Sequence, residues 1–124
     1  MTEQQGFVHL NLHSEYSLAD GTVRIKALAE QVAGNCQPAV ALTDLSNMYA
    51  AVKFYRACLG SGVKPIIGAD VWLASDDQQD AAGRPVMHRM KLLCQEESGY
   101  HNLSALLTTA YLRGSKNHRV ALSW

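Results

Sequence analysis

Residues 39–47, Ala39-Val40-Ala41-Leu42-Thr43-Asp44-Leu45-Ser46-Asn47, decide the fold class. A short apolar run closed by polar residues is the pattern of a strand buried on both faces, as parallel sheets require. It predicts a strand over 39–43. Amphipathic segments lie on either side. Upstream, Ile25, Leu28, Ala29, Val32 and Ala33 form one helical stripe within residues 23–33. Gly34-Asn35 ends that helix, because both tolerate a left-handed cap. Downstream, Ser46 or Asn47 can cap a helix over 48–59. Its expected stripe is Met48, Ala51, Val52, Tyr55 and Cys58, with Lys53 and Arg56 on the wet side.

Further out, Phe7 to Leu12 alternate and predict a first strand, with Val8, Leu10 and Leu12 on one face and His9, Asn11 and His13 on the other. Ser14 to Gly21 reads as a loop. Pro65 can open a strand but not sit centrally in one, which places a third strand over 66–73. Asp76 to Gly83 reads as an acidic loop, 87–94 as a fourth strand, and 101–112 as a third helix with the stripe Leu103, Leu106, Leu107, Ala110 and Tyr111. The order β-α-β-α-β-β-α predicts an α/β fold of parallel strands with crossover helices. Four strands and three helices leave a parallel sheet incompletely covered. Followed by a basic turn, Arg113 to Arg119, and an apolar stub, Val120 to Trp124, they read as the N-terminal portion of a larger barrel or sheet. The stub could instead pack back as an edge strand.

The 124 residues suffice for one modest domain. Apolar residues are 48% and charged residues 18%, a globular composition that excludes disordered and collagenous classes. Residues 1–62 carry four bases and five acids, and residues 63–124 seven and six, so no basic stripe for nucleic-acid phosphates stands out. The four cations of the tail, without interleaved aromatics, read as a solvated turn. No apolar run is long enough to span a membrane. The polar N-terminus lacks the features of a signal peptide. Cys36, Cys58 and Cys94 form no CxxC and read as small buried residues in a reducing, cytoplasmic setting.

Ligands of parallel α/β folds sit at the carboxyl ends of strands. The polar residues there are His9, Asn11, His13, Asp44 and Asp70. His9 and His13 are two strand repeats apart, roughly 13 Å at ~3.3 Å per residue, too far to share one ion comfortably. Ser14, His13 and Asp44 lack the Gly-x-Ser-x-Gly context of a nucleophile elbow. No Gly-rich phosphate loop occurs, which weakens any reading as a nucleotide-binding metabolic enzyme.

The blocks FVHLNLHSEYSLADG, PAVALTDLSNMYAAVKFYRAC, GVKPIIGADVWLA and SGYHNLSALLTTAYLRG resemble, in order and spacing, the opening of the bacterial DNA polymerase III alpha subunits. That opening is their polymerase-and-histidinol-phosphatase (PHP) domain. The resemblance implies part of a distorted βα barrel, with the polymerase domains and their magnesium chemistry outside this chain. It also implies the positions of a metal site. The family's His-x-His falls on Asn11 and His13, and a following ligand falls on Asp20. The His of its Thr-Asp-His-Gly-Asn block falls on Leu45, its third-strand Glu on Asp70, and its fourth-strand His on Arg89. Three of these six are not useful ligands, because a zinc cluster does not tolerate a leucine and a cation in its ligand set.

The resemblance therefore implies a degenerate site without metals or catalytic residues. The segment is expected to serve as a scaffold and a docking surface for the separate proofreading exonuclease subunit. DNA would be contacted through the other domains, and no membrane is involved. The alternative is an active metal-dependent PHP phosphoesterase or 3'–5' exonuclease. If the site is degenerate, its carboxylates repel and at least one should titrate high. Arg89 is expected to pair with Asp70 or Asp20 through a two-bond fork, standing in for the lost metal charge.

Overall fold

The computed structural model describes residues 6–113, 115–116 and 119–123. Its regular elements are helices α1 (Ile25–Gly34), α2 (Ala51–Gly60) and α3 (Glu97–Leu112), and strands β1 (Ala39–Leu45), β2 (Lys64–Gln79), β3 (Pro85–Leu93), β4 (Ser115–Lys116) and β5 (Arg119–Ser123). A 3-10 segment, Glu15–Asp20, occupies the expected loop. β1 and β2 pair in parallel, with Leu45 opposite Asp70. β3 pairs antiparallel with β2, Arg89 opposite Trp72 and Lys91 opposite Asp70. This departs from the all-parallel expectation for a simple reason. The link from Gln79 to Pro85 is a hairpin, far too short for a crossover.

β5 pairs in parallel with β2, Ala121 opposite Trp72. β3 already holds one edge of β2 at residues 72–74, so β5 lies on the other edge, beyond the point where β1 ends. The apolar stub is thus a strand of the sheet. Arg113 Nη1 donates to Ser123 Oγ at 3.0 Å, tying the end of α3 to β5. Of the basic tail, Gly114, Asn117, His118 and the side chains of 115–116 lie outside the described residues, as does Trp124.

The expected first strand is replaced by an extended segment with a single bridge, His9 opposite Val40. Ala41 N–H donates to His9 C=O at 2.8 Å, and Thr43 N–H to Leu12 C=O at 2.9 Å. Acceptors two residues apart would keep a regular ladder. Here they are three apart, so one extra residue bulges out. Leu10 is consequently exposed, and Leu12 packs on the core.

α1 buries Ile25, Leu28, Ala29 and Val32 as its stripe requires. The left-handed residue after it is Cys36 (φ 54°), not Gly34 or Asn35. Cys36 is exposed and Cys94 is partly so, which corrects the expectation of three buried cysteines. α2 turns a different face inward. Ala51, Phe54 and Cys58 are buried, while Val52 and Tyr55 are 62% and 50% exposed. Phe54, the largest apolar side chain of the helix, sets the rotation: it fills the core with Ile25, Val32, Val40, Leu42 and Val63. Ala50, rather than Ser46 or Asn47, occupies the N-cap position, and no side chain caps the helix there. The Asn47 side chain instead accepts from Tyr49 N–H at 3.1 Å in the turn before it. β2 runs through much of the expected acidic loop, leaving a tight turn from Asp80 to Arg84. A second core packs Leu103 and Leu107 of α3 on Ala69 and Val71 of β2. Leu106 and Tyr111, expected in that stripe, are 44% and 46% exposed.

Alternation along β2 assigns its two faces. Ala69 and Val71 face α3. Asp70 and Trp72 face the other way, together with Arg89 and Lys91 of β3.

Candidate functional site

Asp70 is the centre of a side-chain cluster on that second face. Its carboxylate is 2% exposed. His13 Nε2 lies 3.1 Å from Asp70 Oδ2, and His13 Nδ1 lies 2.7 Å from Asp20 Oδ2. Two accepting carboxylates engage both ring nitrogens when both carry protons. Arg89 Nη2 lies 3.0 Å from Asp70 Oδ2 and 3.4 Å from Asp20 Oδ2. Lys91 Nζ lies 3.6 Å from Asp70 Oδ2. One guanidinium nitrogen thus bridges two carboxylates, instead of a fork gripping one. Asp70 Oδ1 is buried and has no hydrogen-bond partner among the described residues.

The local backbone explains the convergence. The 3-10 segment folds Asp20 back over His13. Gly21 permits this, since a Cβ there would collide with the Ser14 carbonyl oxygen. Thr43 Oγ1 accepts from Leu12 N–H at 3.2 Å, which holds the bulged segment beside β1. Ser46 N–H donates to the Asp70 carbonyl at 2.7 Å where β1 ends.

The six positions implied by the family resemblance separate in space. His13, Asp20, Asp70 and Arg89 come together. Asn11 is exposed in the bulged segment. Leu45 is half-buried at the end of β1, opposite Asp70 in the strand register. His9 sits edge-on to Phe7 at 4.7 Å between ring centroids. Lys91 is the member that sequence reasoning missed. The signal was available: it follows Arg89 by two residues and so shares its strand face.

Asp44 serves a different purpose. It is buried and accepts from Ser14 N–H at 2.6 Å, Ser14 Oγ at 2.8 Å and Ser17 Oγ at 2.8 Å. Ser17 Oγ accepts in turn from Leu45 N–H at 2.9 Å. The Ser14 hydroxyl is committed to Asp44, and His13 faces Asp20 and Asp70, so Ser14 has no histidine base beside it.

The expected high-titrating carboxylate is not Asp20. The hydrogen bond from His13 holds its carboxyl below the ordinary value of 3.8, and partial desolvation opposes this. The charges of His13 and Arg89 add to the lowering. A carboxyl lowered in the folded state contributes stability that is present above its unfolded pKa. That contribution disappears as pH falls through the folded value. Asp20→Asn is therefore expected to flatten the loss of stability below about pH 4. Urea unfolding at pH 7 and pH 3 checks this. Equal acid sensitivity of both proteins would contradict it.

The PHP domain family matches residues 9–124. The chain is 47% identical over 116 residues to the DNA polymerase III subunit alpha of Pseudomonas aeruginosa, covering 94% of this chain and 10% of that protein. It is 42% identical over 113 residues to the subunit of Vibrio cholerae (91% and 9%) and 42% identical over 108 residues to that of Escherichia coli (87% and 9%). The chain thus spans about a tenth of the length of these relatives. A crystal structure from Bifidobacterium adolescentis, assigned to the metal-dependent phosphoesterases, superposes with a TM-score of 0.56 at 21% identity. That match covers 86% of this chain and 34% of the other. It supports the fold, a partial PHP-type barrel built around a mixed sheet. The chain is similar to a stretch of about a tenth of these DNA polymerase III alpha subunits, and it belongs to the PHP domain family.

Proposed function

We propose that this segment is a metal-free structural module of a replicative DNA polymerase, in which an arginine-centred ion cluster replaces the family's metal site. The observation that carries the reading is Arg89 Nη2 at 3.0 Å from Asp70 and 3.4 Å from Asp20. A cation already faces both carboxylates, and Lys91 stands at 3.6 Å from Asp70. Leu45 supplies no donor atom. His13, Asp20 and Asp70 remain, joined by ion pairs. Three donor residues with a guanidinium set among them are too few ligands, beside a fixed positive charge, for a cluster of divalent ions.

On this reading the segment works by shape. It forms one wall of the polymerase and offers a docking surface to the proofreading exonuclease subunit in the cytoplasm. Nucleotidyl transfer and its magnesium belong to the domains outside this chain. Among the described residues no helix is long and apolar enough to cross a membrane.

The alternative, an active metal-dependent phosphoesterase or 3'–5' exonuclease, draws on the buried Asp70 Oδ1, which has no partner among the described residues. Metal analysis separates the two. The chain is expected to take up zinc or manganese no better than isolated exposed histidines do. Asn11→His, Leu45→His and Arg89→His together should raise zinc affinity by about tenfold or more. Stoichiometric metal held tightly at neutral pH by the unaltered chain, and lost in His13→Ala, would overturn the proposal in favour of the phosphoesterase. Co-purification with the exonuclease subunit tests the docking role separately.

A further inference from the structure

Trp72 lies between two arginines. The Arg119 guanidinium carbon is 4.1 Å from the indole centroid and that of Arg89 is 5.1 Å away. The two differ in what else they touch. Arg89 is engaged by Asp70 and Asp20. Arg119 is exposed and has no carboxylate partner among the described residues. At 4.1 Å the Arg119 guanidinium is in cation–π contact with the ring. It carries five N–H donors for an incoming acceptor.

Beside Arg119 is a cavity of about 380 Å³, also lined by Asp80, Arg84, Pro85, Val86 and Met87. Arg84 presents a second guanidinium. Its Nε donates to Asp80 Oδ2 at 2.9 Å, which leaves its terminal amino groups uncommitted among the described contacts. Asp80 itself is well satisfied: its Oδ1 accepts from Ala82 N–H at 2.8 Å and Arg84 N–H at 3.0 Å. Those bonds fix the turn and hold Arg84 in place. Two arginines against one spoken-for carboxylate leave the cavity with a net positive charge.

We propose that this cavity, between the β2–β3 turn and β5, is a phosphate-group site, with the edges of Arg119 and Arg84 as its donors. A phosphate matches paired guanidinium edges with parallel charge-assisted hydrogen bonds. Trp72 pre-orients Arg119, which lowers the ordering cost of binding. Pro85, Val86 and Met87 supply an apolar wall for whatever carries the phosphate. The group can come from a phosphomonoester or from the phosphodiester backbone of a nucleic acid. The site meets the Asp70 cluster only through Trp72, and its donors, Arg84 and Arg119, are not members of that cluster, so it is tested independently of the metal-free reading.

The test is a titration of the chain, followed through the Arg84 and Arg119 side-chain Nε–H and Trp72 indole N–H resonances. Inorganic phosphate is one probe. A single-stranded oligonucleotide without terminal phosphates is the other. Saturable shifts confined to these resonances are expected with at least one probe. Arg119→Gln should weaken binding by about tenfold, as loss of a charge-assisted pair implies. Arg119→Lys should recover part of the affinity. A preference for inorganic phosphate would identify the monoester. Tighter binding of the oligonucleotide, weakened steeply by salt, would identify the diester. Arg119 is exposed, so an unchanged amide spectrum of Arg119→Gln verifies its folding. Two results would overturn the proposal: no shift at these resonances with either probe, or binding by Arg119→Gln equal to that of the unaltered chain.

Discussion

Arg89→Ala is expected to lower the unfolding free energy by about 2–3 kcal/mol at neutral pH. Removing one partner of a buried ion pair costs more, about 3–5 kcal/mol, because the other charge is left unpaired in a poorly solvated site. Two features of the cluster reduce that figure. Arg89 is 38% exposed, so water already screens part of the interaction. Asp70 also keeps His13 at 3.1 Å and Lys91 at 3.6 Å after the arginine is gone. The pairing with Asp70 can be isolated by a double-mutant cycle with Asp70→Asn. The asparagine keeps the shape and removes the charge that Arg89 balances. The double variant should therefore lose at least about 1 kcal/mol less than the sum of the two single losses. Urea unfolding measures all four proteins. An Arg89→Ala variant within 0.5 kcal/mol of the unaltered chain would be the behaviour of a solvated surface arginine. It would remove the basis for treating Arg89 as a replacement for metal charge.

The pairing of Arg89 with Asp70 and Asp20 was legible through the family resemblance, which aligned all three with positions of one site. Strand periodicity adds that Lys91 shares the face of Arg89. What periodicity does not encode is how many carboxylates surround that cation. The single bridging nitrogen follows from the 3-10 segment, which brings Asp20 over His13, and Ser14 to Gly21 carry no regular pattern that specifies it. The first strand illustrates a second limit. Val8, Leu10 and Leu12 alternate correctly, yet a one-residue bulge between His9 and Leu12 sends Leu10 outward. A bulge changes the phase of a strand without changing its composition, and a count of apolar positions cannot detect it. In α2 the stripe was misjudged by one residue. Met48-Ala51-Tyr55 and Ala51-Phe54-Cys58 are both acceptable helical spacings. Tertiary packing chose the face that buries Phe54 against Ile25 and Val40. The hairpin of β2 and β3 was obscured for a related reason. Its polar residues, Asp76 to Gln79, suggest a loop, but they belong to an extended strand end that is exposed to water.

Asp44→Ala is expected to be the most damaging single change at this end of the sheet, by about 3–5 kcal/mol. The carboxylate is buried and accepts three hydrogen bonds, from Ser14 N–H, Ser14 Oγ and Ser17 Oγ. Truncation leaves those three donors without partners in a site that water does not reach. Each unsatisfied buried donor costs roughly 1–3 kcal/mol, and a charged acceptor is at the upper end of that scale. The loss would spread along a defined path. Ser17 Oγ also accepts from Leu45 N–H, and Ser14 Oγ accepts from Tyr16 N–H at 3.1 Å. The 3-10 segment would loosen, and with it the position of Asp20 over His13. Asp44→Asn should cost less, about 1–2 kcal/mol, because its amide oxygen can still receive two of the three donors. The discriminating measurement is the ordering of the two variants together with amide exchange. Ser14 and Leu45 should lose protection in Asp44→Ala, while the α3 amides retain theirs. A loss below about 1 kcal/mol in Asp44→Ala, or equal losses in both variants, would mean that water replaces the carboxylate and that these serines do not depend on it.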